Sequence, residues 1–121
     1  MSNEEIIARQ RAAVLCCLRT GKEFANSRHW IAMHTGMNDR AVRERIEELR
    51  NEGHLICNLQ NGSGYFIAED AEDIKAQYRQ DCARAMSILR RIKPFRHALR
   101  KIETEERDED QITLLELLEE E

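Results

Sequence analysis

Apolar positions recur at helical spacing in three blocks along the first half of the chain, each bracketed by helix-capping residues. Ile7, Val14, Leu15 and Leu18 give the first block one apolar face. Asn3 is its cap candidate, and Glu4 and Glu5 suit the positive end of the helix dipole. Gly21 is expected to end this helix near Thr20, and residues 22–26 read as a connector. The second block, residues 28–35, begins after the N-cap Ser27 and offers Ile31 and the small Ala32 to a core. Gly36 supplies the positive φ that a tight turn between helices needs. Asn38 caps the third block, with Met37 placed to fold back as a hydrophobic staple. Val42, Ile46 and Leu49 then fall at i, i+4 and i+7. At about 100° per residue, Arg40, Glu44 and Glu47 point furthest from that stripe, with Arg43 and Arg45 on its flanks. Gly53 is a stop signal.

Two β-prone runs follow, residues 55–59 and 65–68, separated by Gln60-Asn61-Gly62-Ser63-Gly64. Asn-Gly between two such runs is a strong hairpin signal. Asp70 with Glu72 and Asp73 restarts a helix. Tyr78, Cys82, Ala85, Leu89 and Ile92 continue it with the alternating 4 and 3 spacing of a bundle or coiled-coil seam. Pro94 is expected to end or kink it near Ile92, and Phe95, Leu99 and Ile102 resume the seam. The expected architecture is a mainly α fold: a winged helix-turn-helix with a two-stranded β-hairpin over residues 1–69. A helical extension over 70–102 follows, then an acidic tail over 103–121 with a short amphipathic run at Ile112, Leu114, Leu115, Leu117 and Leu118.

Charge sharpens this picture. The net charge is −4, yet residues 1–101 carry 18 Lys and Arg against 13 Asp and Glu, while residues 102–121 carry 1 against 10. The body is therefore +5 and the tail −9, an asymmetry that suits a polyanion-binding body. Between Arg84 and Lys101 seven bases stand without a single acid: Arg84, Arg90, Arg91, Lys93, Arg96, Arg100 and Lys101. This segment suits DNA phosphate, and equally a solvated face or a dock for the acidic tail. The tail itself reads as a solvated segment or as an amphipathic helix for a protein partner's groove.

A helix-turn-helix presents the first turns of its second helix to the major groove. The candidate DNA-contacting residues are therefore Asn38, Asp39, Arg40, Arg43 and Glu44, with Arg28 placed for backbone phosphate. Asn61 and Ser63 lie at the wing tip, which holds no Lys or Arg. The same Arg and Glu residues also suit i,i+3 and i,i+4 pairing on a solvated face. Tyr78, Cys82, Ala85, Leu89 and Ile92 pack either against the first helix or against a second copy. The second arrangement would set two recognition helices about one DNA turn apart.

The stretch Met37-Asn-Asp-Arg-Ala-Val42-x-x-x-Ile46-x-x-Leu49-x-x-x-Gly53, followed by Gly62-Ser-Gly64-Tyr-Phe, resembles the DNA-binding domain of biotin operon repressors and related winged helix-turn-helix domains. The whole chain is similar to small phage and prophage helix-turn-helix proteins. The resemblance implies a recognition helix at residues 38–47 and a wing tip at 60–64. The resemblance covers about residues 14–68 and implies nothing for 71–121. The expected function is sequence-specific binding of double-stranded DNA by a phage or bacterial transcription regulator, with a homodimer expected from the long amphipathic helix that follows the winged domain. No ligase domain follows, so no biotin-related role is implied. The alternative is a protein-interaction module or inhibitor that uses the fold and the acidic tail. No P-loop, G-x-G-x-x-G, H-E-x-x-H or nucleophile elbow occurs, so catalysis and a bound cofactor are not expected. Cys16, Cys17, Cys57 and Cys82 form no C-x-x-C pair, and the four His show no ligand spacing. Buried, reduced thiols and no metal are therefore expected. The acidic start lacks a signal-peptide layout, and no apolar run approaches a membrane span. A cytoplasmic protein is expected.

Overall fold

The computed structural model describes residues 1–102, so the expected amphipathic tail at 103–121 lies outside the described residues. Among the described residues the order is α1 (Asn3–Cys16), a single 3-10 turn (Lys22–Phe24), α2 (Arg28–Thr35), α3 (Asp39–Asn51), β1 (Ile56–Cys57), β2 (Phe66–Ile67) and α4 (Ala71–Ile102). The fold is mainly helical with one two-stranded antiparallel hairpin. A first compact unit spans Met1–Cys82 and thus takes in the first three turns of α4, past the boundary expected near residue 69. The second unit begins at Ala83.

Short-range chemistry sets the helix ends. Ser2, not Asn3, caps α1: its Oγ accepts from the Glu5 N–H at 3.2 Å, and Asn3 is already helical. Helix α1 stops at Cys16, short of the expected Thr20. Ser27 caps α2 by accepting from the Trp30 N–H at 3.0 Å. Gly36 closes α2 in the left-handed region at φ 72°. Asn38 caps α3 by accepting from the Ala41 N–H at 2.7 Å. Gly53 at φ 105° lets the chain leave α3 while the His54 N–H bonds back to the Leu49 carbonyl at 3.1 Å.

The core forms where α1, α2 and α3 meet the hairpin. Val14, Leu18, Ile31, Val42, Ile46, Leu49, Ile56 and Tyr65 make one buried cluster, with Ala32 and Met37 packed at its margin. The expected stripes of α2 and α3 are thus the buried ones. Arg45 is different. Expected on a flank of the apolar stripe, it is buried, donating to Gln10 of α1 at 2.9 Å and pairing with Glu48 at 2.8 Å. Nearby, Arg11 of α1 reaches Glu48 and Glu52. The α1–α3 contact therefore has an ionic border around an apolar centre.

The expected connector, residues 22–26, and the three residues before it do more than join helices. Their backbone pairs with the far side of β2: the Ile67 N–H donates to the Arg19 carbonyl at 2.8 Å, and the Gly21 N–H to the Ile67 carbonyl at 2.9 Å. Asn26 and Tyr65 exchange two backbone hydrogen bonds, at 3.0 and 2.8 Å. The Asn26 side chain also donates to the Cys17 carbonyl at the end of α1. Gly64 passes Asn26 so closely that a Cβ there would collide with the Asn26 carbonyl and sit 2.7 Å from the Ser27 nitrogen. The hairpin is thereby sewn to the segment that launches α2.

The hairpin differs from its expected form. Ile56 pairs with Ile67 and Cys57 with Phe66, and residues 58–65 form a wide loop. Asn61-Gly62 does not make the two-residue turn, which needs positive φ at both positions; Gly62 has none. Its N–H closes a turn onto the Leu59 carbonyl at 2.9 Å. The reason lies in α4. Gln77 accepts from the Asn58 N–H at 2.7 Å, and Gln80 accepts from the Gln60 N–H at 2.8 Å while donating to the Asn58 carbonyl at 2.9 Å.

Helix α4 starts with reciprocal capping: Asp70 accepts from the Asp73 N–H, and Asp73 accepts from the Glu69 N–H. It runs through Pro94 to Ile102, so proline does not end it. Proline removes only the bond from its own position to the Arg90 carbonyl. None of its residues is buried.

Candidate nucleic-acid interface

The helix pair α2–α3 is held in a fixed relation at the end where α3 begins. Arg28, in the first turn of α2, donates from Nε to Asp39 Oδ1 in the first turn of α3. Asp39 first, then the Tyr65 side chain, push the Arg28 pKa further up, so this guanidinium stays charged. Thr35 accepts from the Met37 N–H at 3.3 Å and donates to the Ile31 carbonyl at 2.7 Å. The turn around Gly36 is thus braced by side chains as well as by its glycine.

The solvent face of α3 has a mixed charge. Arg40 pairs with Glu44 at 3.1 Å, one helical turn away. Glu44 also lies 3.3 Å from Arg45. Arg43 and Glu47 are exposed, and among the described residues Arg43 has no ion pair. Asn38 spends its amide oxygen on the cap. Only its NH2 group is open, so a bidentate grip on adenine requires the cap to break. Asp39 is held by Arg28, leaving Arg43 as the freest cation on this face.

The hairpin loop contributes less than expected. Asn61 and Ser63 are exposed, but the Asn58 and Gln60 N–H groups are taken by α4 glutamines. Gln77 and Gln80 carry no local signal of their contact with the loop, because they reach it across 19 and 20 positions. Asn26 carries no local signal either, since its backbone partner Tyr65 is distant in sequence.

Tyr78, Cys82, Ala85 and Ile92 are exposed along α4, and Leu89 is half-buried. Residues 1–82 hold 11 Lys and Arg against 13 Asp and Glu, a formal −2. The surplus positive charge of the described chain is therefore the +7 of residues 84–101.

The cysteines depart from the expected burial. Cys57 is buried, Cys17 is half-buried, and Cys16 and Cys82 are exposed. Burial, then the Asp73 charge, push the Cys57 thiol up; burial, then Cys16, do the same for Cys17. Among the described residues no group of three His, Cys, Asp or Glu is placed to hold a metal ion. No described helix is long and apolar enough to cross a membrane. Comparison with protein-family models, curated proteins and solved structures found no match to this chain.

Proposed function

We propose that the chain is a winged helix-turn-helix protein that binds double-stranded DNA as a dimer and regulates transcription. The observation that carries this reading is the α2–Gly36–α3 pair. Its second helix buries Val42, Ile46 and Leu49 and turns Arg40 and Arg43 to solvent in its first turns. In this reading α3 enters the major groove, with Arg43 reading a guanine edge. The basic stretch of α4 supplies phosphate contacts, which carry most of the affinity and its salt dependence. The row Tyr78, Cys82, Ala85, Leu89 and Ile92, exposed except for the half-buried Leu89, is the dimer seam.

Selection from random duplexes, followed by binding titrations at several salt concentrations, tests this. Arg43→Ala should cost about 1–3 kcal/mol on the selected sequence and relax preference at one position. Arg91→Ala should weaken all duplexes alike and lower the salt slope by about 1. Failure to select any sequence, with binding confined to low salt, would overturn the specific reading. It would favour a protein-interaction module instead. That second reading draws on the formal −2 of residues 1–82 and on Trp30 and Met33, exposed side chains on α2.

A further inference from the structure

Arg28 carries a charge that the proposed DNA contacts do not use. It stands in the first turn of α2 and donates from Nε to Asp39 Oδ1. This is the one ion pair joining α2 to α3 among the described residues; the others on α3 run along that helix or reach α1. The Tyr65 side chain hydrogen-bonds the same guanidinium from the hairpin side. Tyr65 is buried in the core, and its backbone exchanges two hydrogen bonds with Asn26, just before the cap of α2. One guanidinium thus joins the starts of both helices to the residue that leads into β2.

The two side chains are 35% and 56% exposed, and an ion pair so open to water adds little to global stability. Ile31, Val42, Ile46 and Leu49 hold the helices together beneath it. Local stability is another matter. Helix ends fray at almost no cost, and the first turn of α3 lies before the buried stripe that begins at Val42. Its closure depends on Asn38, whose side-chain oxygen accepts from the Ala41 N–H and whose carbonyl accepts from the Val42 N–H. A tether at Asp39, beside that cap, is placed to hold the turn closed. The same turn presents Asn38 and Arg40 to solvent. Base readout needs that turn ordered, whereas attraction to phosphate does not. We propose that Arg28 is a positioning residue rather than a phosphate contact: through Asp39 it pins the first turn of α3 and thereby sets discrimination between DNA sequences. This role rests on the DNA-binding reading above. Arg28→Ala removes a positive charge and Asp39→Ala a negative one, yet both open the same tether. A charge effect therefore separates the two variants, and a positioning effect unites them.

Two measurements on the full chain test the role. In amide exchange followed by NMR on the free protein, Arg28→Ala should speed exchange at Ala41 and Val42 at least about threefold and leave Ile46 unchanged. In binding titrations, Arg28→Ala and Asp39→Ala should each lower the ratio of affinities for the selected and an unrelated duplex at least about threefold. The double variant should lower it no further than either alone, as expected of two residues acting through one contact. Loss of a phosphate contact at Arg28 would instead weaken both duplexes alike and lower the salt slope by about 1. That result, additive losses in the double variant, or unchanged exchange at Ala41 and Val42 would each overturn the proposal. A natural chain that selects no duplex would overturn the DNA-binding reading and the role in discrimination with it, while the exchange measurement still decides the tether.

Discussion

Substituting Gly64 with alanine isolates the junction that fastens the hairpin to the start of α2. Gly64 has φ 140°, a backbone region almost closed to other residues, which costs about 1–3 kcal/mol when a side chain is forced into it. An added Cβ also strikes the Asn26 carbonyl and the Ser27 nitrogen, both backbone atoms that no rotamer change can move. Relief requires separating Asn26 from Tyr65, with loss of their two backbone hydrogen bonds at about 1 kcal/mol each. The expected destabilisation is about 3–5 kcal/mol. Gly36→Ala is the matched control. Gly36 also has positive φ, 72°, but nothing lies within 4 Å of an added Cβ, so the cost is about 1 kcal/mol. Urea unfolding followed by circular dichroism gives both values. Equal midpoints for the two variants would refute the close approach of Gly64 to Asn26. A Gly64→Ala protein whose hairpin amides keep their exchange protection would refute it too.

Four further outcomes follow from other contacts of the fold. Arg45→Ala should lose about 2 kcal/mol of stability, because Gln10 and Glu48 lose their partner at a buried site; Arg43→Ala should change stability by less than about 0.5 kcal/mol, and thermal unfolding ranks the two. Gln80→Ala should cost about 1 kcal/mol and raise amide exchange at Gln60, since it removes both hydrogen bonds of that residue to the loop; unchanged exchange would show that α4 does not shape the loop. Alkylation at neutral pH should mark Cys16 and Cys82 well before Cys57, read by peptide mass. Because folding raises the Cys57 pKa, the folded chain keeps a proton that the unfolded chain releases. Stability should therefore fall as pH rises past the ordinary thiol value of 9.0, and Cys57→Ala should flatten that fall.

The charge distribution sets the order of events in the proposed DNA complex. The α3 face has one unpaired arginine beside two glutamates, so in the proposed complex its assigned role is discrimination rather than attraction. In that proposed complex the attraction is assigned to residues 84–101 of α4, where the bases are dense and free of acids. Mutations in the two regions should therefore separate, changing sequence preference in the first case and overall affinity in the second.

Sequence alone determined the α2–Gly36–α3 unit almost to the residue. Ser27, Gly36 and Asn38 act through hydrogen bonds and φ preferences that reach three or four positions, and the Val42–Ile46–Leu49 stripe needs only the helical period. The same short range explains why Gly53 was legible as a stop. What tertiary structure decided lies at long sequence separation. Arg45 looks like any surface arginine until Gln10, 35 positions away, is brought beside it. Asn26 is an ordinary loop residue until Tyr65 pairs with its backbone. The Asn61-Gly62 signal is locally strong, but glutamines of α4 take the loop's N–H groups and widen it. Pro94 reads as a breaker because local rules count its missing hydrogen bond, yet α4 continues through it on the bonds made by its neighbours. Caps, turns and stripes are written in adjacent residues. Burial of a charge and the shape of a loop depend on which distant groups arrive to satisfy them.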